Sequence, residues 1–243
     1  VSPSTCILLT REASDNTRLA TLLRANGVVV REVPCTGTRW RQPTTMPDRV
    51  DLVAFSSRRS VIGFFKAGLM NSLCLPLGDT PFAVVGESTA RTLRGFGVEP
   101  TIVADPQTGS ALAEAIRDYD NRAKVLVVHG DLGKGELFGA LTQFGQPVCD
   151  VTVYENFEPQ ISIKEQFPVA AVFVAAPSAA RRLLFHMPWL RSSTFLPIGP
   201  TTESALRALG VGEFLEQTAS LSEQVSSLTT AWHRAKNHTD NLE

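Results

Sequence analysis

The sequence predicts an α/β protein made of two parallel-sheet α/β domains, and three observations carry that reading. Short apolar runs alternate with helical patterns through brief connections, the signature of parallel strands covered by helices on both faces. One stretch occurs twice: residues 85–98 and 198–211 each run from an apolar strand end through a glycine and a hydroxyl pair to Leu-Arg, two residues and Gly-Val. At 243 residues the chain is long enough for two cores, and two stretches without periodicity supply connectors between them.

Taken in order, residues 6–9 are a short apolar strand ending at Thr10-Arg11. Residues 15–26 place Leu19, Leu22 and Leu23 at helical spacing before Gly27, and residues 28–33 form the next strand. Pro34 breaks this β-α-β unit. Residues 36–48, with Trp40, two prolines and mixed charge, lack usable periodicity and read as a connector. Residues 51–55 are a strand stopping at Ser56-Ser57, and a helix carrying Val61, Phe64 and Phe65 follows. Residues 82–85 lead into the first copy of the repeat, and residues 100–104 return as a strand. A helix at 110–119 has Leu112 and Ile116 on one face. The strand at 124–128 ends at His129-Gly130-Asp131, a helix follows at 136–144, and residues 148–154 alternate as a strand that Pro159 closes. The second half repeats the scheme: a strand at 170–174, a helix through Arg181 and Leu184, a strand at 194–198 and the second repeat. A short return strand at 213–217, an amphipathic helix at 222–234 and a frayed polar tail after Lys236 complete the chain.

Composition narrows the function. The formal net charge is −1, so a general nucleic-acid binder or a membrane-surface binder, which needs a large positive excess, is not expected. No run approaches a membrane span. Cys6, Cys35, Cys74 and Cys149 form no C-x-x-C pair and lie mostly in apolar strand-like runs, so they read as buried reduced thiols of a reducing compartment. The expected location is cytoplasmic. The chain starts at Val1 without methionine, which leaves room for a removed targeting peptide and hence for a plastid.

Parallel α/β sheets bind ligands beyond the carboxyl ends of their strands. Here those ends are Thr10-Arg11, Ser56-Ser57, Gly86 with Ser88-Thr89, His129-Gly130-Asp131, Pro177-Ser178 and Gly199 with Thr201-Thr202. Small and hydroxylated residues dominate, while carboxylate pairs and histidine dyads are scarce. Such corners suit donors to an anion better than acid–base machinery. In both repeats the hydroxyls stand where a helix N-cap is wanted, and capping alone is their plainer role. His129 reads first as a satisfied structural histidine and second as a partner for an anionic ligand. Residues 130–135 imitate a phosphate loop but lack its spacing, and the remaining histidines share no ligand spacing, so no metal site is expected. Arg58, Arg59, Arg181 and Arg182 are solvated charges at helix starts that border the strand ends.

The order of Leu9-Thr10-Arg11, Phe55-Ser56-Ser57 with Ser60-Val61, Val85-Gly86 with Ser88-Thr89-Ala90, Gly130-Asp131, Val153-Tyr154, Pro177-Ser178-Ala179 and Ile198-Gly199-Pro200-Thr201-Thr202 resembles the uroporphyrinogen-III synthase family. The resemblance spans nearly the whole chain, from Cys6 to Trp232, and rests on order and spacing. It implies two α/β domains joined by a two-stranded linker: residues 1–34 with 159–243 as the first, 38–152 as the second, and 35–37 with 153–158 as linker strands. It also implies the reaction. Family members cyclise hydroxymethylbilane, a linear tetrapyrrole rich in carboxylates, with loss of water and inversion of the last pyrrole ring, to give uroporphyrinogen III.

No cofactor or metal is implied, and a monomer is expected. Tyr154 matches the family tyrosine and is the expected catalytic residue, helping the terminal hydroxyl leave. Expected substrate-binding residues are Thr10, Arg11, Ser56, Ser57, Gly86, Ser88, Thr89, His129, Gly130, Asp131, Pro177, Ser178, Gly199, Thr201 and Thr202, lining a mouth between the two lobes. Three departures stand out: Glu12 where proline often follows, His129 where arginine is common, and Ala175-Ala176 where the family carries hydroxyls. A binding module that keeps the fold without turnover is the alternative, and the isomer of the product separates the two.

Overall fold

The structure, a computed structural model, describes residues 4–73, 75, 79–132, 135–163, 165–218 and 220–240. The chain divides into two compact units, Val1–Gly37 with Phe157–Glu243, and Thr38–Asn156. It therefore crosses from one unit to the other twice. Each unit is built around its own sheet.

The first unit holds a four-stranded sheet. Strand β1 (Cys6–Leu9) leads to helix α1 (Ala13–Ala25) and strand β2 (Val30–Glu32). All four residues of β1 are buried, as expected of a parallel strand covered on both faces. Period-two alternation sends Cys6 and Leu8 to one core and Ile7 and Leu9 to the other.

Strand β3 (Gly37–Trp40) opens the second unit, whose elements are β4 (Leu52–Phe55), α2 (Arg58–Lys66), α3 (Leu69–Ser72), β5 (Phe82–Val84), α4 (Glu87–Arg94), β6 (Ile102–Val103), α5 (Gly109–Tyr119), β7 (Val125–Gly130), α6 (Gly135–Gln143) and β8 (Val148–Phe157). Its sheet has the order β3-β8-β7-β4-β5-β6. Neighbours from β8 to β6 run parallel. At the β3 edge Gly37 lies against the Phe157 ring and Arg41 N–H donates to the Val153 carbonyl at 2.8 Å, so the numbering runs in opposite directions, as in an antiparallel ladder. One face packs Val53, Phe55, Phe82 and Val84 against Val61 and Phe64 of α2 and Leu93 of α4. The other packs Leu52, Ala54, Val125 and Val127 against Leu112 and Ile116 of α5 and Leu137 of α6.

The chain returns to the first unit through β9 (Val169–Val174), α7 (Pro177–His186), a 3-10 turn at Pro188–Ser192, β10 (Phe195–Pro197), α8 (Pro200–Ala208) and α9 (Leu221–Asp240). The sheet order is β10-β9-β1-β2, all parallel. Helices α7 and α8 cover one face with Leu183, Leu184 and Leu206, while α1 and α9 cover the other with Leu19, Leu23, Leu228 and Trp232. Burying each such side chain contributes about 2 kcal/mol.

The repeat has matching ends in both units. Gly97 and Gly210 adopt left-handed φ values of +78° and +87°. Val98 N–H then reaches the Leu93 carbonyl and Val211 N–H the Leu206 carbonyl, closing both helices in one way.

Four expectations need correction. The 36–48 connector contains strand β3, which pairing with β8 creates and four residues of pattern do not announce. The return strand at 213–217 reduces to a single bridge between Phe195 and Phe214. The last helix does not fray after Lys236 but continues to Asp240. The repeat hydroxyls are not N-caps: Gly86 and Gly199 occupy those positions in extended conformation, without side-chain cap hydrogen bonds.

Candidate functional site

With glycine as N-cap, each repeat places its hydroxyls inside the first helical turn. Ser88 and Thr201 are exposed there. Thr89 and Thr202, one position on, are buried, and their N–H groups donate to the Gly86 and Gly199 carbonyls at 3.0 and 3.1 Å. Helix α7 follows the same plan: its N-cap is Ala176, no side chain caps it, Pro177 stands at the first position and Ser178 is exposed. Ser88, Ser178 and Thr201 thus each offer solvent a hydroxyl together with a backbone N–H that no hydrogen bond among the described residues takes. That pairing of donors with the positive end of a helix attracts anions. The loss of hydroxyls at Ala175-Ala176 leaves this backbone arrangement in place.

Other helix starts are closed from within. Ser57 and Ser60 form a capping box on α2, Ser57 Oγ accepting from Ser60 N–H at 3.1 Å, so the Ser57 hydroxyl serves the helix. Thr108 caps α5 by accepting from Ala111 N–H at 3.2 Å. Glu136 adds a carboxylate to that end, accepting from Gly109 N–H at 3.2 Å and Ser110 Oγ at 2.6 Å. Those hydrogen bonds, Ser110 foremost, hold the Glu136 carboxyl below the usual range. The half-buried Ser56 opens onto a 410 Å³ cavity here, with Val85, Gln107, Thr108 and Glu136.

The end of β7 gathers the remaining candidates of the second unit. Gly130 pairs with Tyr154 across a register shift, and a Cβ on Gly130 would meet ring atoms of Tyr154 at 2.3 and 2.4 Å. The ring therefore lies directly on the glycine. Trp40 meets it edge-on at 6.3 Å. Tyr154 is half-buried, and its hydroxyl makes no hydrogen bond among the described residues. Asp131 N–H donates to the Tyr154 carbonyl at 3.0 Å, while Asp131 Oδ1 accepts from Asn156 N–H at 3.0 Å and Asn156 Nδ2 at 2.8 Å. Desolvation raises the Asp131 carboxyl, and the Asn156 and Leu132 hydrogen bonds more than offset it, leaving it below the ordinary value. His129 is 2% exposed, with Nδ1 at 2.7 Å from the Gly130 carbonyl and Nε2 at 2.8 Å from Asp150 Oδ2. A 460 Å³ cavity borders this corner, lined by Arg41, Thr45, Asp131, Asp150, Thr152 and Glu155 among others.

In the first unit Thr10 is fully buried and its hydroxyl donates to the Phe173 carbonyl at 2.9 Å, tying β1 to β9. Arg11 is half-buried, 3.6 Å from Asp15. The first unit's candidates sit at the carboxyl ends of β1, β9 and β10 in one sheet. Thr10, Thr89, His129 and Thr202 face inward, and Ser57 is committed to a cap, so the side chains of these five do not present free donors. Sequence reasoning missed Arg41, Asp150, Glu155, Gln107 and Glu136. Glu155 accepts from Arg39 and Arg41, partners more than a hundred residues away, and no local pattern announces such pairs.

Burial pushes the Cys6 thiol up to about 11 and Cys35 up to about 12, and raises half-buried Cys149, so these thiols stay protonated. Cys74, Gly133 and Lys134 lie outside the described residues. Among the described residues no group of three His, Cys, Asp or Glu side chains is placed to hold a metal ion, and no helix is long and apolar enough to cross a membrane.

The family profile described as "Uroporphyrinogen-III synthase HemD" matches residues 17–223. Among solved structures, uroporphyrinogen-III synthetase from Helicobacter pylori is similar at a TM-score of 0.61 and 18% identity, over 92% of this chain and 99% of that one. A mutant uroporphyrinogen III synthase from Thermus thermophilus gives a TM-score of 0.55 at 18% identity, over 95% of this chain and 100% of that one. No curated protein matches the chain in sequence. At these identities the structural likeness establishes the two-domain α/β fold.

Proposed function

The chain belongs to the uroporphyrinogen-III synthase HemD family, and from that premise we propose that it is a cyclising lyase that converts hydroxymethylbilane to uroporphyrinogen III. The observation that supports this most directly is the set of open helix starts at Ser88, Ser178 and Thr201. A polycarboxylate held by a nearly neutral protein calls for amide and hydroxyl donors, and each unit carries such donors at its helix starts. Arg11, Ser56, Gly86 and Gly199 complete the binding set through charge, hydroxyl and backbone N–H, while Pro177, which has no N–H, shapes the start of α7.

The reaction breaks the bond from carbon to the terminal hydroxyl, which leaves as water once protonated. The substituted α-carbon of the last pyrrole ring, already joined to the preceding ring through a methylene, bonds to the freed centre. Its older bond to that methylene then breaks, and the methylene bonds instead to the ring's free α-carbon, which gives up its proton, so the macrocycle closes with that ring inverted. The same chain also closes without an enzyme, to the uninverted isomer, so selectivity comes from geometry. Holding reacting atoms together supplies much of such a barrier. Tyr154 is the proton donor in this reading: its phenol is half-buried, makes no hydrogen bond among the described residues, and is packed against Gly130 and Trp40.

The deciding experiment supplies freshly made hydroxymethylbilane and measures the isomer ratio of the product. Type III product formed faster than spontaneous closure is expected. Type I product at the spontaneous rate would leave only a binding module.

A further inference from the structure

Strand β7 carries a register shift between His129 and Gly130: His129 pairs with Thr152, and Gly130 pairs with Tyr154, skipping Val153. An extra residue on one strand re-aims the side chains that follow it. Without the shift Gly130 would face Val153, and a slip of one residue turns the next side chain to the opposite face of the sheet. The seat of the Tyr154 ring on Gly130 depends on this irregularity.

His129 is the side chain that spans it. Nδ1 holds the Gly130 carbonyl at 2.7 Å, on the far side of the shift, and Nε2 holds Asp150 Oδ2 at 2.8 Å. Asp150 lies on β8, two residues before the Thr152 that pairs with His129. The imidazole thus ties the last residue of β7 to the regular part of the ladder, from a position sealed from water. Asp131 and Asn156 fasten the following rung, so the Tyr154 backbone is gripped on both sides.

We propose that His129 is a positioning residue for Tyr154: by holding the Gly130 carbonyl and the Asp150 carboxylate together it fixes the strand irregularity that seats the Tyr154 ring. This rests on the reading of Tyr154 as proton donor and adds the element that aims it. An aliphatic residue would leave the Gly130 carbonyl without this partner, and an asparagine is too short to reach both Gly130 and Asp150.

The test is a double-mutant cycle on the full chain. His129→Asn is expected to lower kcat several-fold with KM nearly unchanged, and to cost nothing further in a Tyr154→Phe background. An equal loss in both backgrounds, or no loss in either, overturns the proposal. Position is read separately by labelling the two tyrosine rings with carbon-13. His129→Asn, and the milder Asp150→Asn at a partly exposed carboxylate, are expected to shift the Tyr154 resonances and leave those of Tyr119 in place. Unmoved Tyr154 resonances in folded variants overturn the positioning role whatever the kinetics. Tyr154→Phe at the wild-type rate with shifted resonances in the His129 variant instead defeats the proton-donor reading and leaves the positioning of the ring standing.

Discussion

The Tyr154 ring rests on the α-carbon of Gly130, with the site of a missing Cβ only 2.3 Å from Cε2 of the ring. Glycine is needed at this position for space, because the neighbour is a rigid aromatic ring and not the end of a flexible chain. Gly130→Ala is therefore expected to displace the ring, lower turnover several-fold, and destabilise the protein by about 1–3 kcal/mol. Rates of type III formation alongside urea midpoints measure the two effects. An alanine variant with unchanged turnover would show that ring placement is immaterial.

Tyr154→Phe removes a hydroxyl that leaves no partner unsatisfied among the described residues, so the change in stability is expected to stay within about 0.5 kcal/mol. Turnover is expected to fall several-fold or more. Single-turnover formation of product isolates the chemical step, and wild-type rates there would make the hydroxyl a bystander.

Strands buried on both faces were the most legible part of this chain, because the short apolar runs of β1, β4, β7 and β9 alternate with helical patterns through short connections, as parallel sheets require. The two repeats were legible for the same reason that they are alike in space, each carrying a glycine at both ends of its helix and needing the second, Gly97 or Gly210, for its left-handed turn. Strand β3 was not. Its four residues owe their conformation to β8, and the Arg39 and Arg41 pairs with Glu155 close over a separation that local patterning does not register. The caps were misplaced by two or three positions because a serine or threonine after a glycine serves equally well as a cap or as a first-turn residue. Only the backbone decides between them.

That distinction separates the hydroxyls by function. Ser88→Ala and Thr201→Ala remove exposed groups and are each expected to raise KM a few-fold at nearly constant Tm. Thr89→Ala and Thr202→Ala empty buried space beneath the two helices and are expected to lower Tm. Steady-state kinetics and thermal melts on the four variants test the assignment, which fails if KM follows the buried pair.

Cys6 and Cys35, pushed up to about 11 and about 12 by burial, carry almost no thiolate at pH 8 and are also closed to reagents. Iodoacetamide is expected to leave both unmodified in the native protein and to label both after unfolding in urea, as peptide mapping by mass spectrometry reads directly. Rapid native labelling of either would mean that its core opens readily.

Acid should weaken the second unit through Glu155. The hydrogen bond from Arg41, ahead of the one from Arg39, holds its carboxyl below the usual value despite some desolvation. An unfolded glutamate titrates near about 4.3, so the folded form binds its proton at lower pH than the unfolded form. The stabilisation is then fully present above that unfolded value and is lost as pH falls through the folded one. Asp131 and Glu136, lowered by their own hydrogen bonds, add to the same trend. Urea midpoints are therefore expected to hold between about pH 7 and 5 and to drop below about pH 4. Glu155→Gln should be less stable at neutral pH and show a shallower fall in acid, because the group whose protonation differs between the two states is gone. If both proteins lose stability with the same slope, the Arg39–Glu155–Arg41 bridge contributes nothing to the edge of the sheet, and the strand pair is held by its backbone and by packing such as Trp40 against Tyr154 and Gly37 against Phe157.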